Sequence, residues 1–285
     1  SKITHLLFPP EAASGNELRA HRIYTGVMLT AVGIGIGLLG LLLSACADVS
    51  LPQREMLLSY FKNPALLLLN LLPPVLFVWT GYFLFGRCWC GVLLGGLLGV
   101  GFPLVNYYKI ALRGDPMLAS DLLLFKTAKG IMGRYHFTLT KPVLFSVAML
   151  GVALLFAVFL LRGREKRRRV RLLGTVICLV LGAALYTGAY TNASVYQKTA
   201  NNGLINVWSD TQVFLSRGFA VSFLHSVPEM FPEKPENYSK QHAQALLDQY
   251  QDAAIPDSQK ITVMGVMLEA FSDLTDFAAL SDVPA

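Results

Sequence analysis

Charged side chains are scarce in this sequence: they make up 15% of its 285 residues, whereas hydrophobic residues make up 54%. Average soluble proteins have about a quarter of their residues as Asp, Glu, Lys or Arg. The composition therefore argues against a soluble globular protein. It favours a chain for which lipid is the better solvent over most of its length.

Cysteine is also scarce, and the four cysteines form no CxxC pair. All four lie in or beside apolar segments, at Cys46, Cys88, Cys90 and Cys178. This spacing indicates neither a zinc site nor an extracellular disulfide framework. We interpret these residues as small apolar side chains within the membrane part. Palmitoylation of Cys88 or Cys90 at the membrane edge is the alternative.

Five long apolar segments occur before residue 192, and the chain becomes polar after it. The hydrocarbon core of a bilayer is about 30 Å thick, and about 20 mainly apolar residues cross it as a helix. Each segment must be helical, because no water at that depth satisfies backbone N–H and C=O groups. Residues 1–192 are therefore predicted to form an all-α polytopic membrane domain, with spans at 24–47, 65–85, 89–112, 143–162 and 170–190.

Basic residues are concentrated between the fourth and fifth predicted spans. A short loop of this kind stays in the cytoplasm, so a five-span chain has its N-terminus inside and its C-terminus outside the cell. The predicted location is the cell membrane, crossed several times. The residues that determine this orientation are Arg162, Arg164, Lys166, Arg167, Arg168, Arg169 and Arg171.

The net charge of +6 does not by itself indicate a nucleic-acid partner. A nucleic-acid surface needs basic residues spread over a broad face, and here they are concentrated in one short loop between two spans. The expected partner is therefore the phospholipid bilayer, and no nucleic acid is expected.

The loop predicted outside the cell, residues 113–142, is also basic overall and contains an apolar run after Met117. These features suit the binding of an anionic phospholipid headgroup. A segment that packs at the membrane interface with solvated charges is the alternative. The candidate headgroup residues are Arg113, Asp115, Asp121, Lys126 and Lys129.

Residues 203–224 are apolar enough to be considered as a sixth span. Asp210 and Arg217 argue against this, because each would cost about 2.5 to 3.5 kcal/mol near a helix centre. The apolar residues recur every three or four positions, which predicts an amphipathic helix in the interface. Residues 193–259 are accordingly predicted to be this interfacial helix and an extracellular linker.

A nearly continuous apolar run at Ile261–Leu268 predicts a buried strand, and Glu269 follows it directly. Such runs are typical of strands in parallel sheets, whose carboxyl ends hold the ligands of α/β folds. A carboxylate in this place suits a divalent cation. From spacing alone, a solvated loop residue is the alternative for Glu269.

Three stretches resemble the lipoteichoic acid synthase family, and the overall layout is similar over nearly the whole chain. The most specific is Met267-Leu-Glu-Ala-Phe-Ser-Asp-Leu274, after the predicted strand. The others are Leu112-Arg-Gly-Asp-Pro-Met-Leu-Ala-Ser-Asp-Leu122 in the loop and Arg217-Gly-Phe-Ala-Val-Ser-Phe-Leu224 in the predicted interfacial helix.

The resemblance implies an enzyme that moves glycerol phosphate from phosphatidylglycerol to a cell-envelope polymer outside the cell. Residues 260–285 would be the first strand of an α/β sulfatase-like catalytic domain of the alkaline phosphatase superfamily. Manganese is the family's usual metal, and Glu269 matches its first ligand. The threonine nucleophile and the other ligands are expected beyond Ala285, so the chain is expected to be truncated and inactive as written.

Two other functions remain open at this stage. A phosphoethanolamine transferase or sulfatase of the same superfamily would use a similar metal platform with another headgroup or nucleophile. A membrane transporter or scaffold is the non-enzymatic alternative. Transport is disfavoured because no charged residue lies centrally in the predicted spans, where such residues mark ion and proton pathways.

The orientation can be tested with reporter fusions. We expect a reporter enzyme that works only outside the cytoplasm to be active when fused after Asn237, because five crossings follow from the basic loop. The same reporter fused after Glu165 serves as the control and should be inactive. Cytoplasmic location of residue 237 would mean that residues 203–224 cross the membrane.

Overall fold

The computed structural model describes residues 15–124, 137–161, 163–231, 238–249 and 265. In these ranges the regular structure is helical, apart from one isolated antiparallel bridge between Arg87 and Arg164. The chain divides into two compact units, Ser1–Pro232 and Glu233–Ala285. The predicted strand and Glu269 lie outside the described residues, except for Gly265.

Five described helices are long and apolar enough to cross a membrane, which confirms that part of the prediction. We number them as the first to the fifth span. Their bounds are Asn16–Ala45, Pro64–Phe85, Cys88–Arg113, Lys141–Phe159 and Arg168–Tyr190. Two of them contain a π-helical turn, at Leu97–Gly101 in the third span and Tyr186–Tyr190 in the fifth.

Shorter helices connect and follow the spans. A helix at Gln53–Lys62 lies between the first and second spans, and a 3-10 helix at Ala119–Leu124 follows the third. After the fifth span come Ala193–Lys198, Asp210–Ser216, Phe219–His225 and the 3-10 helix Val227–Met230. In the second unit, the helix Lys240–Asp248 begins after Ser239, whose hydroxyl accepts the His242 N–H at 3.0 Å.

The second and third spans pack closely because small residues face each other. A Cβ atom added to Gly81 would lie 2.8 Å from the Cα of Gly91. Small residues at helix interfaces in membranes allow backbones to approach and gain van der Waals contact. These two spans and the first form the centre of the bundle.

The fifth span is the least buried of the five and is fixed to the second span at both ends. At one end the Arg171 guanidinium donates to the carbonyls of Phe83, at 3.1 Å, and Leu84. At the other end the Tyr190 hydroxyl donates to the Leu69 carbonyl. Arg171 was predicted to determine topology. It also provides hydrogen-bond donors for carbonyls in the last turn of the second span, which have no N–H partner within their own helix.

The basic loop packs beside the end of the second span. The Glu165 N–H donates to the Gly86 carbonyl at 3.2 Å, next to the bridge between Arg87 and Arg164. We call this end of the bundle the basic end. Residues 114–124 and 137–140, between the third and fourth spans, and residues 191–231 lie at the opposite ends of the spans.

The prediction of one helix over residues 203–224 is wrong in extent. The structure has two seven-residue helices, Asp210–Ser216 and Phe219–His225, which we call the helical pair. Gly218, with φ of 75°, separates them, and this left-handed backbone cannot continue a helix. Each helix is far shorter than a membrane crossing requires, and Phe214, Leu215 and Phe219 are buried.

Side chains from other helices satisfy the backbone at the break between the two helices. The Leu215 carbonyl accepts from the Tyr60 hydroxyl at 2.7 Å, and burial raises the pKa of Tyr60, which keeps it protonated as a donor. The Phe219 N–H donates to the Ser44 hydroxyl at 3.1 Å. These bonds hold the helical pair against the bundle.

Gly218→Ala should lower the melting temperature of the detergent-solubilised protein. Its new Cβ would lie 2.5 Å from Asn70 Oδ1, and alanine at this positive φ is strained. We expect the free energy of unfolding to fall by about 1–3 kcal/mol.

Gly182→Ala is the matched control, because nothing lies within 4 Å of its added Cβ and the residue is helical. It should leave the melting temperature unchanged or raise it slightly. Equal melting temperatures for the two variants would contradict the structural role of Gly218.

Candidate functional site

The loop that follows the third span is held by an ion pair. Lys109 Nζ lies 2.7 Å from Asp121 Oδ2, and the side chains are 19% and 29% exposed. The same carboxylate oxygen accepts the Leu118 N–H at 2.8 Å, and Lys109 also donates to the Pro116 carbonyl at 2.8 Å. Asp121, a predicted headgroup residue, therefore has its carboxylate engaged in folding the loop.

A buried asparagine fixes the next part of this loop. Asn106 is fully buried, and its Oδ1 accepts the Met117 N–H at 2.7 Å. Its Nδ2 has no hydrogen-bond partner among the described residues. The amide thus holds Met117 against the third span.

The loop also contacts the segment that contains the helical pair. The Ala119 N–H donates to the Ser226 hydroxyl at 3.0 Å, and the Thr211 hydroxyl donates to the Gly114 carbonyl at 2.7 Å. About 100 residues separate these segments in the sequence. Thr211 and Ser226 flank residues 217–224, so the fold brings residues 112–122 close to that stretch.

A cavity of about 200 Å³ lies where the loop, the helical pair and the first three spans meet. Its wall is apolar, with Phe77, Leu98, Phe102, Leu122, Ala220 and Phe223 among its residues. Asn70 is the polar side chain in the wall, and its Nδ2 donates to the carbonyls of Leu66, at 2.9 Å, and Arg217, at 2.8 Å. The cavity can therefore bind an apolar group but offers little to a polar one.

Beside the cavity, Arg217 is buried without an acidic partner among the described residues. Its guanidinium lies 4.3 Å from the ring centroid of Tyr196 and donates to the Val213 carbonyl at 3.3 Å. The His225 ring stacks on Tyr196 at 3.7 Å. Carbonyl oxygens and the aromatic ring replace water around this cation.

The other predicted site residues are distributed as follows. Arg113 and Asp115 are exposed at the loop, close in sequence to the ion pair. Glu269, Lys126, Lys129 and Arg162 lie outside the described residues. Within the described ranges, no group of three His, Cys, Asp or Glu residues is placed to hold a metal ion.

Sequence reasoning did not find the cavity or the Lys109–Asp121 pair. The cavity is built from separate segments between Gly37 and Leu224, so no local pattern marks it. The available signal was that the sequence singles out residues 112–122 and 217–224. It marked both segments without showing that they meet.

Comparisons of the chain with models of protein families, with curated proteins and with solved structures give no match. The function is therefore argued from the residues and their contacts.

The ion pair predicts a clear difference between two aspartates of the loop. Asp121→Ala should lower the melting temperature in detergent, because Lys109 loses its carboxylate and the Leu118 N–H loses its acceptor. Hydrogen bonds to charged groups contribute about 1.5–3 kcal/mol. Asp115→Ala, at an exposed position of the same loop, is the control and should have little effect. A similar change in both variants would refute the role of Asp121.

Proposed function

We propose that this chain provides the membrane part of a phosphoglycerol transferase that resembles lipoteichoic acid synthase. The enzyme would move glycerol phosphate from phosphatidylglycerol to a cell-envelope polymer. The observation that supports this proposal is that one cavity is lined both by Leu122, from residues 112–122, and by four residues of 217–224, namely Phe219, Ala220, Phe223 and Leu224. Both stretches resemble the same family, and a shared role at a lipid donor gives them a reason to be in contact.

The charge of the loop suits the proposed donor. Phosphatidylglycerol is anionic, and residues 113–142 contain Arg113, Lys126 and Lys129 beside Asp115 and Asp121. Basic clusters next to membrane helices attract anionic headgroups by about 1 kcal/mol per residue. With Asp121 paired to Lys109, Arg113 is a described residue of this set that remains exposed.

The proposed orientation places the donor and the chemistry on the same side. If the basic end is cytoplasmic, the loop, the helical pair and the predicted domain start at 260–285 lie outside the cell. The bundle would then hold the donor in the bilayer of the membrane to which the catalytic domain is anchored. Such positioning turns an encounter between two molecules into a reaction within one complex.

The chemistry that the resemblance implies has two displacements. The hydroxyl oxygen of a threonine attacks the phosphorus of phosphatidylglycerol and loses its proton as the oxygen–phosphorus bond forms. The bond between phosphorus and the diacylglycerol oxygen breaks, and that oxygen takes a proton. An acceptor hydroxyl then displaces the threonine. Glu269 would be one ligand of a divalent metal, Mn²⁺, and the metal would supply charge stabilisation at the transferred phosphate. The described residues contribute the binding and orientation of the donor.

Replacement of Glu269 tests the proposal. In membranes from cells that produce the protein naturally, Glu269→Gln should reduce manganese-dependent release of diacylglycerol from phosphatidylglycerol by about 100-fold or more, because loss of even an outer-shell partner of a metal site costs about 10–100-fold. Glu229→Gln, at an exposed position, is the control and should keep full activity.

The same assay separates the proposal from its alternatives. Consumption of phosphatidylethanolamine in place of phosphatidylglycerol would indicate the phosphoethanolamine transferase. Unchanged turnover in Glu269→Gln would remove this residue from the site and contradict the proposed function.

A further inference from the structure

We propose that the cavity binds one acyl chain of a membrane phospholipid, which enters beside Leu122. This inference does not rest on the proposed transfer reaction, because it concerns the apolar part that phospholipids share. It assigns a binding site to the membrane bundle itself.

The chemistry of the wall excludes water as a good occupant. A buried water needs two to four polar partners, and apolar cavities of about 150 Å³ in soluble proteins stay dry and bind hydrocarbons. This cavity, at about 200 Å³, is larger. Both hydrogens of the Asn70 amide are already donated to carbonyls. A hydrocarbon is therefore the group that the wall accommodates best.

The depth of the cavity indicates which hydrocarbon is present. Phe77 lies in the interior of the second span Pro64–Phe85, and Leu98 lies in the interior of the third span Cys88–Arg113. The medium around spans at this depth consists of lipid acyl chains. An acyl chain is thus the apolar group available at the highest concentration.

We place the opening at Leu122, because it is the exposed residue of the wall, at 42%. Leu123 and Leu124, which follow it in the 3-10 helix, are 63% and 59% exposed. The Lys109–Asp121 pair precedes these leucines at the end of the third span. The charged pair, the wall residue Leu122 and the two exposed leucines thus lie next to one another, so both a charged and an apolar surface are available to a phospholipid at this point.

Contacts that are already close on two sides of the cavity oppose its collapse. A Cβ added to Gly40 would lie 2.7 Å from the Gly99 carbonyl oxygen, so the first and third spans are already in backbone contact. On the other side, the Phe223 ring packs against Phe102 at 5.8 Å and against Phe219 at 5.0 Å. An empty cavity would lose dispersion contacts along its lining, and an acyl chain supplies them.

The experiment uses a phospholipid with a photoreactive group near the end of one acyl chain, added to the full chain in lipid nanodiscs. We expect crosslinks to concentrate on peptides containing Phe77, Leu98 or Phe223. Phosphatidylglycerol and phosphatidylethanolamine probes should give the same pattern, because the cavity contacts the acyl chain of the lipid and not its headgroup. The proposal would be overturned if only probes with one of the two headgroups labelled the protein. It would also be overturned if labelling were spread evenly over exposed leucines of the fifth span.

Ala220→Trp provides the matched test, because Ala220 is in the wall and a larger side chain fills the cavity. We expect it to reduce cavity crosslinking at least 10-fold. Ala184→Trp makes the same change at an exposed position of the fifth span and should leave crosslinking unchanged. If both variants crosslink like the wild type, the acyl chain binds outside the cavity and the proposal is wrong.

A second measurement covers the case in which Ala220→Trp does not fold. Native mass spectrometry of the wild type in mild detergent should retain one phospholipid per chain, and Leu98→Phe should retain less. Retention of no phospholipid by the wild type would contradict the proposal. Failure of the Glu269→Gln assay would leave these results unaffected, so the two proposals can fail separately.

Discussion

Backbone groups buried away from water must find partners within the chain, and this requirement governs how residues 210–225 join the bundle. Three consecutive carbonyls at the break between the helices accept from side chains of other segments. Leu215 accepts from Tyr60, Ser216 from Asn201 and Arg217 from Asn70. Each donor lies on a different helix or loop. Burial of the break therefore requires all three of these elements to be in place together. The wall of the cavity depends on that arrangement.

The sequence predicted the elements whose signal is local. Long apolar runs predict the five spans because a bilayer requires about 20 such residues wherever a helix crosses it. The ion pair of Lys109 and Asp121 was not predictable in this way. The chain turns between the two residues, and their contact depends on that turn. Asp121 was predicted to contact a headgroup because its charge is visible in the sequence while its partner is not.

The helical pair shows the same limit at another scale. Apolar residues at intervals of three and four predicted one amphipathic helix over residues 203–224. Gly218 ends that regularity through its positive φ, and the apolar side chains on both sides of it turn into the bundle. Periodicity identifies an apolar face but not whether lipid or protein covers it. The same uncertainty hid the cavity, whose wall combines residues from several such faces. Glu269 and the domain start remain predictions.

The attachment of the fifth span at both ends has a consequence for the bilayer. Arg171 binds the last turn of the second span, and Tyr190 binds Leu69 near its first turns. The two helices therefore share one hydrophobic length, although one is central and the other faces lipid. A bilayer too thin or too thick for the fifth span is equally mismatched to the second, so the pair must tilt together.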